Sequence, residues 1–392
     1  MISTHFKHIR NAADMAPLKD NSVDLVVTSP PYPMIEMWDD CFIRQDSGVF
    51  GALTRGGGWT AFERMHALLD SVWDEVCRVM KPGRFACINI GDAVRKTGDD
   101  FGLFPNHSRI ISAMVKRGLT PLPAILWRKQ TNAPNKFMGS GMLPAGAYVT
   151  LEHEYILIFR KGSKRDFETG GERQARRESA IFWEERNQWY SDIWYDLKGT
   201  RQALSTSRVR NRSGAFPFEL PYRLISMYSV AGDTVLDPFS GIGTTALAAM
   251  TAGRSSISFE IEADFAGLIP DEAGAMDGVI GFSNRVIQSR IDRHASFAEE
   301  RIQSGKPMKY INRHYGFPVV TRQETDLFIR PLADARPVAG NGLEITYAGQ
   351  ALKEIEGACL AHGQKDSMPD KGGPAGLRSY AQGGWRNLKL FE

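Results

Sequence analysis

A chain of 392 residues has room for two or three domains, and 42% hydrophobic with 24% charged residues is an ordinary globular composition. Small disulfide-stapled scaffolds, collagen-like repeats and coiled coils are excluded, and no stretch approaches the roughly 20 apolar residues of a membrane helix. A net charge of +3 is too mild to imply nucleic-acid binding, so that inference has to rest on local clustering.

The start, Met1 to His8, lacks a signal-peptide apolar run. Cys41, Cys77, Cys87 and Cys359 are scattered without a CxxC pair or zinc spacing, so reduced thiols, no metal site and a cytoplasmic location are expected.

In chain order, Val23 to Val27 reads as a buried strand running into Thr28-Ser29-Pro30-Pro31-Tyr32, a proline-stiffened turn. Residues 35 to 58 carry five glycines without periodicity and are expected to be a long loop. Phe62, Met65, Leu69, Val72, Val76 and Met80 keep helical spacing, stopped by Pro82-Gly83. Phe85 to Ile90 predicts a strand, Asn106 to Arg117 a helix, and Leu122 to Trp127 and Tyr155 to Phe159 two further strands. This alternation implies an α/β fold, a largely parallel sheet with helices on both faces.

Between Arg160 and Arg212 the alternation stops, and thirteen Lys/Arg stand against eight Asp/Glu among Phe167, Phe182, Trp183, Trp189, Tyr190, Trp194 and Tyr195. Cations and flat rings together suit a nucleic-acid surface, and equally a solvated insertion whose aromatics form a satellite core. Alternation resumes with a strand at Thr234 to Asp237, a glycine-rich turn, an alanine-rich helix to Gly253, a strand at Ser256 to Glu260 and a helix over Phe282 to Gln303. Beyond it, 321 to 360 reads as short strands and 363 to 385 as a flexible tail. The expected divisions are 1–160, 161–212, 213–305 and a C-terminal extension at 306–392.

Two motifs carry chemistry. Asp237-Pro238-Phe239-Ser240-Gly241-Ile242-Gly243-Thr244-Thr245 joins a strand to a helix N-terminus through glycines that let a ligand approach the backbone. Glu260, ending the next strand, is placed to accept hydrogen bonds from ribose hydroxyls, so a nucleoside cofactor is expected. In Ser29-Pro30-Pro31-Tyr32 a hydroxyl and a proline carbonyl stand side by side as acceptors for a planar amino group, with a tyrosine face for a base.

Together these motifs resemble the S-adenosylmethionine-dependent amino-group DNA methyltransferases: Ser29-Pro30-Pro31-Tyr32 is similar to their catalytic tetrad and Asp237 to Gly243 to their cofactor loop. With the tetrad first and the basic, aromatic segment between, the order resembles the circularly permuted beta group. The resemblance implies a Rossmann-like methyltransferase sheet with an inserted target-recognition segment at 161–212. It also implies that Phe216 and Phe218, in a helix-opening stretch, wall the methionine end of the cofactor. Asn11 stands where the family has an acid near the adenine, with Asp14 a substitute. Thr244 and Thr245 are counted with the cofactor residues. Double-stranded DNA is the implied partner, with a cognate restriction endonuclease and a homodimer as further expectations.

The implied reaction moves a methyl group to a flipped-out base whose amino protons are held by Ser29 and Pro30, with Tyr32 stacking on it. Carbon-5 methylation is rejected, since it needs a Pro-Cys thiolate and no cysteine here follows a proline. By the same resemblance a leading serine goes with the cytosine-N4 enzymes, and a hydroxyl can also donate to the ring N3; adenine N6 is the alternative, and an RNA or protein-glutamine methyltransferase a more distant one. His153-Glu154 reads as a structural hydrogen bond rather than an acid/base pair, Asp92 as pocket lining or a helix cap, and Trp38 and Asp39-Asp40 as a cover for the base or a loop anchor.

Overall fold

The computed structural model describes residues 1–98, 100–129, 138–197, 216–268 and 273–352. Ten strands form one sheet: β1 (Ile2–Ile9), β2 (Val23–Thr28), β3 (Met80–Ile90), β4 (Leu119–Arg128), β5 (His153–Lys161), β6 (Ile193–Trp194), β7 (Thr234–Asp237), β8 (Ser255–Glu260), β9 (Leu332–Val338) and β10 (Gly342–Tyr347). Their spatial order is β6-β4-β5-β3-β2-β7-β8-β1-β10-β9, with β5 and β10 running against the rest. The α/β fold expected from the alternation is the fold observed.

All six residues of β2 are buried because each face of the sheet carries its own core, and its one acid, Asp24, is paired with Lys81 and Arg84. Val26, Ala86, Ile88, Leu157 and Leu236 meet α3 (Gly58–Val79) and α4 (Asn106–Lys116) on one side. Leu25, Val27, Cys87, Ile158 and Val235 meet α7 (Glu219–Tyr228), α8 (Thr244–Thr251) and α9 (Ala273–Gln303) on the other.

Three elements differ from expectation. Residues 35 to 58 are not a plain loop: a 3-10 turn (Glu36–Trp38) leads into α1 (Asp39–Gln45) and α2 (Gly48–Thr54). Each helix has only seven residues and buries one or two apolar side chains, Phe42 in α1 and Val49 and Ala52 in α2, too few to make a readable period. Strand β1 escapes a hydrophobicity reading because its buried side is Ser3, His5 and Lys7. Polar partners make that tolerable: Ser3 Oγ lies 2.8 Å from both His5 Nε2 and Tyr347 Oη, and His5 Nδ1 lies 2.8 Å from Ser256 Oγ. Finally, the 306–352 stretch joins the main sheet, since β10 pairs antiparallel with β1. The tail expected at 363 to 385 lies outside the described residues.

The basic, aromatic segment is partly core. α5 (Gly170–Glu178) and α6 (Trp183–Trp189) precede β6, which pairs parallel with β4. Phe182, Trp189 and Trp194 are buried, and Arg290 Nε donates to Glu185 at 2.6 Å in the same layer. Tyr190 and Tyr195 are exposed, and residues 198–212 of this segment lie outside the described residues.

Candidate active site

Strands β2 and β7 are neighbours and parallel, with Leu25 opposite Val235 and Val26 opposite Leu236. Their C-terminal ends therefore leave the same edge of the sheet, and the turns that follow are the two motifs. Thr28 Oγ1, at the end of β2, donates to Asp237 Oδ1, at the end of β7, at 2.6 Å. Asp237 also accepts from Phe239 N at 3.1 Å, and burial pushes its carboxyl up to about 6.

A single cavity of about 330 Å³ lies between the turns. Ser29, Pro30, Pro31 and Tyr32 line it from one side, and Asn11, just past the end of β1 next to β8, also lines it. Asp237, Pro238, Phe239, Ser240 and Gly241 line the other, with Thr244 and Thr245 of α8, Glu260 of β8, and Phe216. Three expected site residues are outside the wall. Asp14 is exposed and pairs with Arg10; Phe218 packs against Tyr222 and Phe282 in the core; Gly243, at φ +85°, forms the left-handed start of α8.

Glu260 binds the loop itself: Oε2 accepts from Gly241 N at 2.8 Å and Oε1 from Glu262 N at 2.9 Å. A carboxylate has about four acceptor positions, so roughly two remain for hydroxyls of a ligand. Ser240 Oγ is buried in the wall without a protein partner, and a Cβ built on Gly241 would meet open space. Open backbone, an unpaired hydroxyl and a carboxylate fit the amino-acid and ribose groups of S-adenosylmethionine.

Lys7, which sequence reasoning missed with its strand, lies under this loop. Its ammonium donates to Gly241 O at 2.9 Å and Phe265 O at 2.6 Å, and burial lowers it to about 8 against the opposing pull of Glu260 and Asp237.

On the tetrad side the polar groups are chained. Ser29 Oγ donates to Tyr32 Oη at 3.2 Å, and Tyr32 Oη donates to Glu154 Oε2 at 2.9 Å. Asn89 Nδ2 donates to both Tyr32 Oη and Glu154 Oε2, at 2.8 and 2.7 Å, and Lys129 Nζ to Glu154 Oε1 at 2.7 Å. Burial, then the adjacent Glu154 carboxylate, hold the Tyr32 phenol well above its ordinary range. Gly91 is needed beside them, since a Cβ there would stand 3.0 Å from Tyr32 Cε2.

Glu154 accepts hydrogen bonds from Tyr32, Asn89 and Lys129, and it lines the cavity with Lys129. Its signal was an acid at the start of an otherwise apolar strand. Asn89 had none beyond a polar residue in a buried one. Asp92 is a helix cap, accepting from His107 N at 3.1 Å at the start of α4. Trp38 lines the cavity, and Asp39 anchors Arg95 at 2.7 Å.

Residues 23–270 match the DNA methylase family of N6 and N4 methyltransferases. The chain belongs to that family. M.MthZI, a Type II methyltransferase of Methanothermobacter thermautotrophicus, is 49% identical over 348 residues, covering 88% of this chain and 96% of the relative. M.MjaI, a Type II methyltransferase of Methanocaldococcus jannaschii, is 45% identical over 303 residues, 73% of this chain and 96% of its own. Among solved structures, a DNA modification methylase of Thermus thermophilus, in complex with S-adenosyl-L-methionine, is 31% identical. That match covers 67% of this chain and 90% of the other with a TM-score of 0.52. This methyltransferase acts on DNA with S-adenosylmethionine as cofactor. No helix among its described residues is long and apolar enough to cross a membrane.

Proposed function

We propose that the protein methylates the exocyclic N4 amino group of a cytosine flipped out of duplex DNA. The observation that carries this reading is the shared edge: Thr28 bonds to Asp237, and the Ser29-Pro30-Pro31-Tyr32 turn and the glycine-rich turn line one cavity. In this reading Asp237, Ser240, Gly241 and Glu260 hold the cofactor, which supplies a sulfonium methyl group as electrophile. Ser29 and Pro30 accept the two amino N–H bonds, which favours a pyramidal nitrogen with its lone pair available, and the Pro30-Pro31 turn keeps the two acceptors from drifting.

The leading serine of the tetrad supports cytosine over adenine through its resemblance to the cytosine enzymes. Donation from Ser29 to the ring N3 does not support it, because the hydroxyl proton is directed to Tyr32. Acceptor lone pairs serve an adenine N6 amino group as well, so adenine is the second reading. Mass spectrometry of nucleosides from DNA of cells expressing the protein decides: N4-methylcytosine is expected, and N6-methyladenine alone overturns the cytosine assignment.

The same proposal takes the chain order as the permuted one and gives duplex reading to residues 161–212. Among the described residues the exposed rings there are Tyr190 and Tyr195, with Phe167 and Trp183 half-buried, whereas the buried Phe182, Trp189 and Trp194 cannot reach a base. A homodimer and a cognate restriction endonuclease belong to this proposal through the family resemblance.

A further inference from the structure

We infer that Glu154 is a positioning residue that orders the hydroxyls of Ser29 and Tyr32 and takes up the proton released after methyl transfer. The inference rests on the proposed amino-group methylation and deepens it.

The directions of the bonds carry the argument. Every donor in the chain points toward Glu154: Ser29 to Tyr32, Tyr32 to Glu154, and Asn89 and Lys129 to the carboxylate from either side. A hydroxyl has one proton, so a Ser29 whose proton is bound to Tyr32 shows only lone pairs to the cavity. Glu154 is 8% exposed and is clamped by Lys129 just past the end of β4, by Asn89 of β3 and by Tyr32 of the tetrad, so the order is held from three sides. A carboxylate is the only member of the chain that can end it as a pure acceptor. A glutamine there could turn its amide nitrogen to Tyr32 and reverse the chain.

After transfer the amino nitrogen bears a positive charge. One of its N–H bonds breaks, leaving the electron pair on nitrogen and passing the proton to Ser29 Oγ. The Ser29 proton moves to Tyr32 Oη, and the Tyr32 proton to Glu154 Oε2. The methylated base leaves neutral and Glu154 ends as a carboxylic acid, so charge and atoms balance. Both hydroxyls finish in their original protonation state.

The test is single-turnover methyl transfer from labelled S-adenosylmethionine to unmethylated genomic DNA, for wild type, Glu154→Gln, Tyr32→Phe and the double variant. Each single change is expected to slow transfer about 100-fold, the scale of a positioned proton acceptor, with cofactor affinity within about twofold. Because both changes cut one chain, the double variant should lose no more than about twofold further. Wild-type rates in either single variant, or losses that multiply in the double, overturn the relay. If Glu154→Gln fails to fold, Tyr32→Phe, which removes one oxygen and keeps the ring, decides alone. A wild-type enzyme that labels no DNA overturns the methylation reading and the relay with it, whereas an active wild type with unaffected variants overturns the relay only.

Discussion

Lys7 on β1 donates its ammonium to the carbonyl of Gly241, 234 residues away in sequence, at 2.9 Å. The bond ties the glycine-rich loop after β7 to a strand that is not itself part of either motif, and a second bond to Phe265 O holds the segment after β8 to the same point. Lys7→Met, which keeps the stem and removes both donors, should weaken S-adenosylmethionine binding about tenfold, the scale of one or two lost buried hydrogen bonds, as read by calorimetry. An unchanged affinity would show that the loop holds its shape without the lysine.

The lysine also makes a pH prediction. Its folded value of about 8 lies below the ordinary 10.5, so between those limits the unfolded chain binds more protons than the folded one. Stability therefore rises with pH across that window as the buried charge is relieved. Comparing denaturant midpoints of wild type and Lys7→Met from pH 8 to 10.5 should show the rise only in wild type.

Asp237 works in the opposite sense. Buried and raised to about 6, its carboxyl favours protonation in the folded protein, and the ionised form is the one that attracts a cationic cofactor. Cofactor affinity should fall as pH drops through about 6, and in Asp237→Asn it should be weaker and flat across that range. A wild-type affinity independent of pH from about 5 to about 8 would remove Asp237 from the cofactor contacts.

The two sides of the cavity should separate by mutation. Ser29→Ala is expected to reduce methyl transfer at least about 100-fold while leaving cofactor affinity intact, since in the proposed reading it removes an acceptor for the base and none for the cofactor. Glu260→Ala should do the reverse and lose cofactor binding first. Calorimetry and transfer assays on both variants read the difference, and an exchange of the two outcomes would mean the sites are reversed.

Gly91 tests the seat of Tyr32. An added methyl would lie 3.0 Å from the ring and 3.4 Å from Glu154 Cγ, and β2, β3 and β5 leave little room for either to move. Gly91→Ala should therefore depress the transfer rate by more than about tenfold with little change in melting temperature or cofactor affinity. A rate close to that of wild type would show that the tyrosine has freedom the packing does not suggest.

Much of the site was legible in the chain because its motifs are local. Ser29 to Tyr32 and Asp237 to Gly241 owe their shapes to prolines and glycines within a few residues, and the strands before them are hydrophobic enough to recognise without a partner. Glu260 was legible for the same reason, as the acid ending the next strand. Less legible were side chains whose direction depends on packing: Phe218 turned into the core, Asp14 to an exposed arginine, and three of the seven aromatics of 167 to 195, Phe182, Trp189 and Trp194, into the core.

The sequence by itself determined the alternating α/β pattern, the two turns and the chemistry each could perform, since all of these follow from backbone preferences and burial over short stretches. Only the tertiary structure decided that the turns share an edge, because that depends on β2 and β7 pairing across 209 residues. The same holds for the placing of Lys7 under the cofactor loop and Glu154 behind the tetrad. Their charges are stabilised by partners distant in the chain, and a buried charge leaves no periodic mark on the sequence around it.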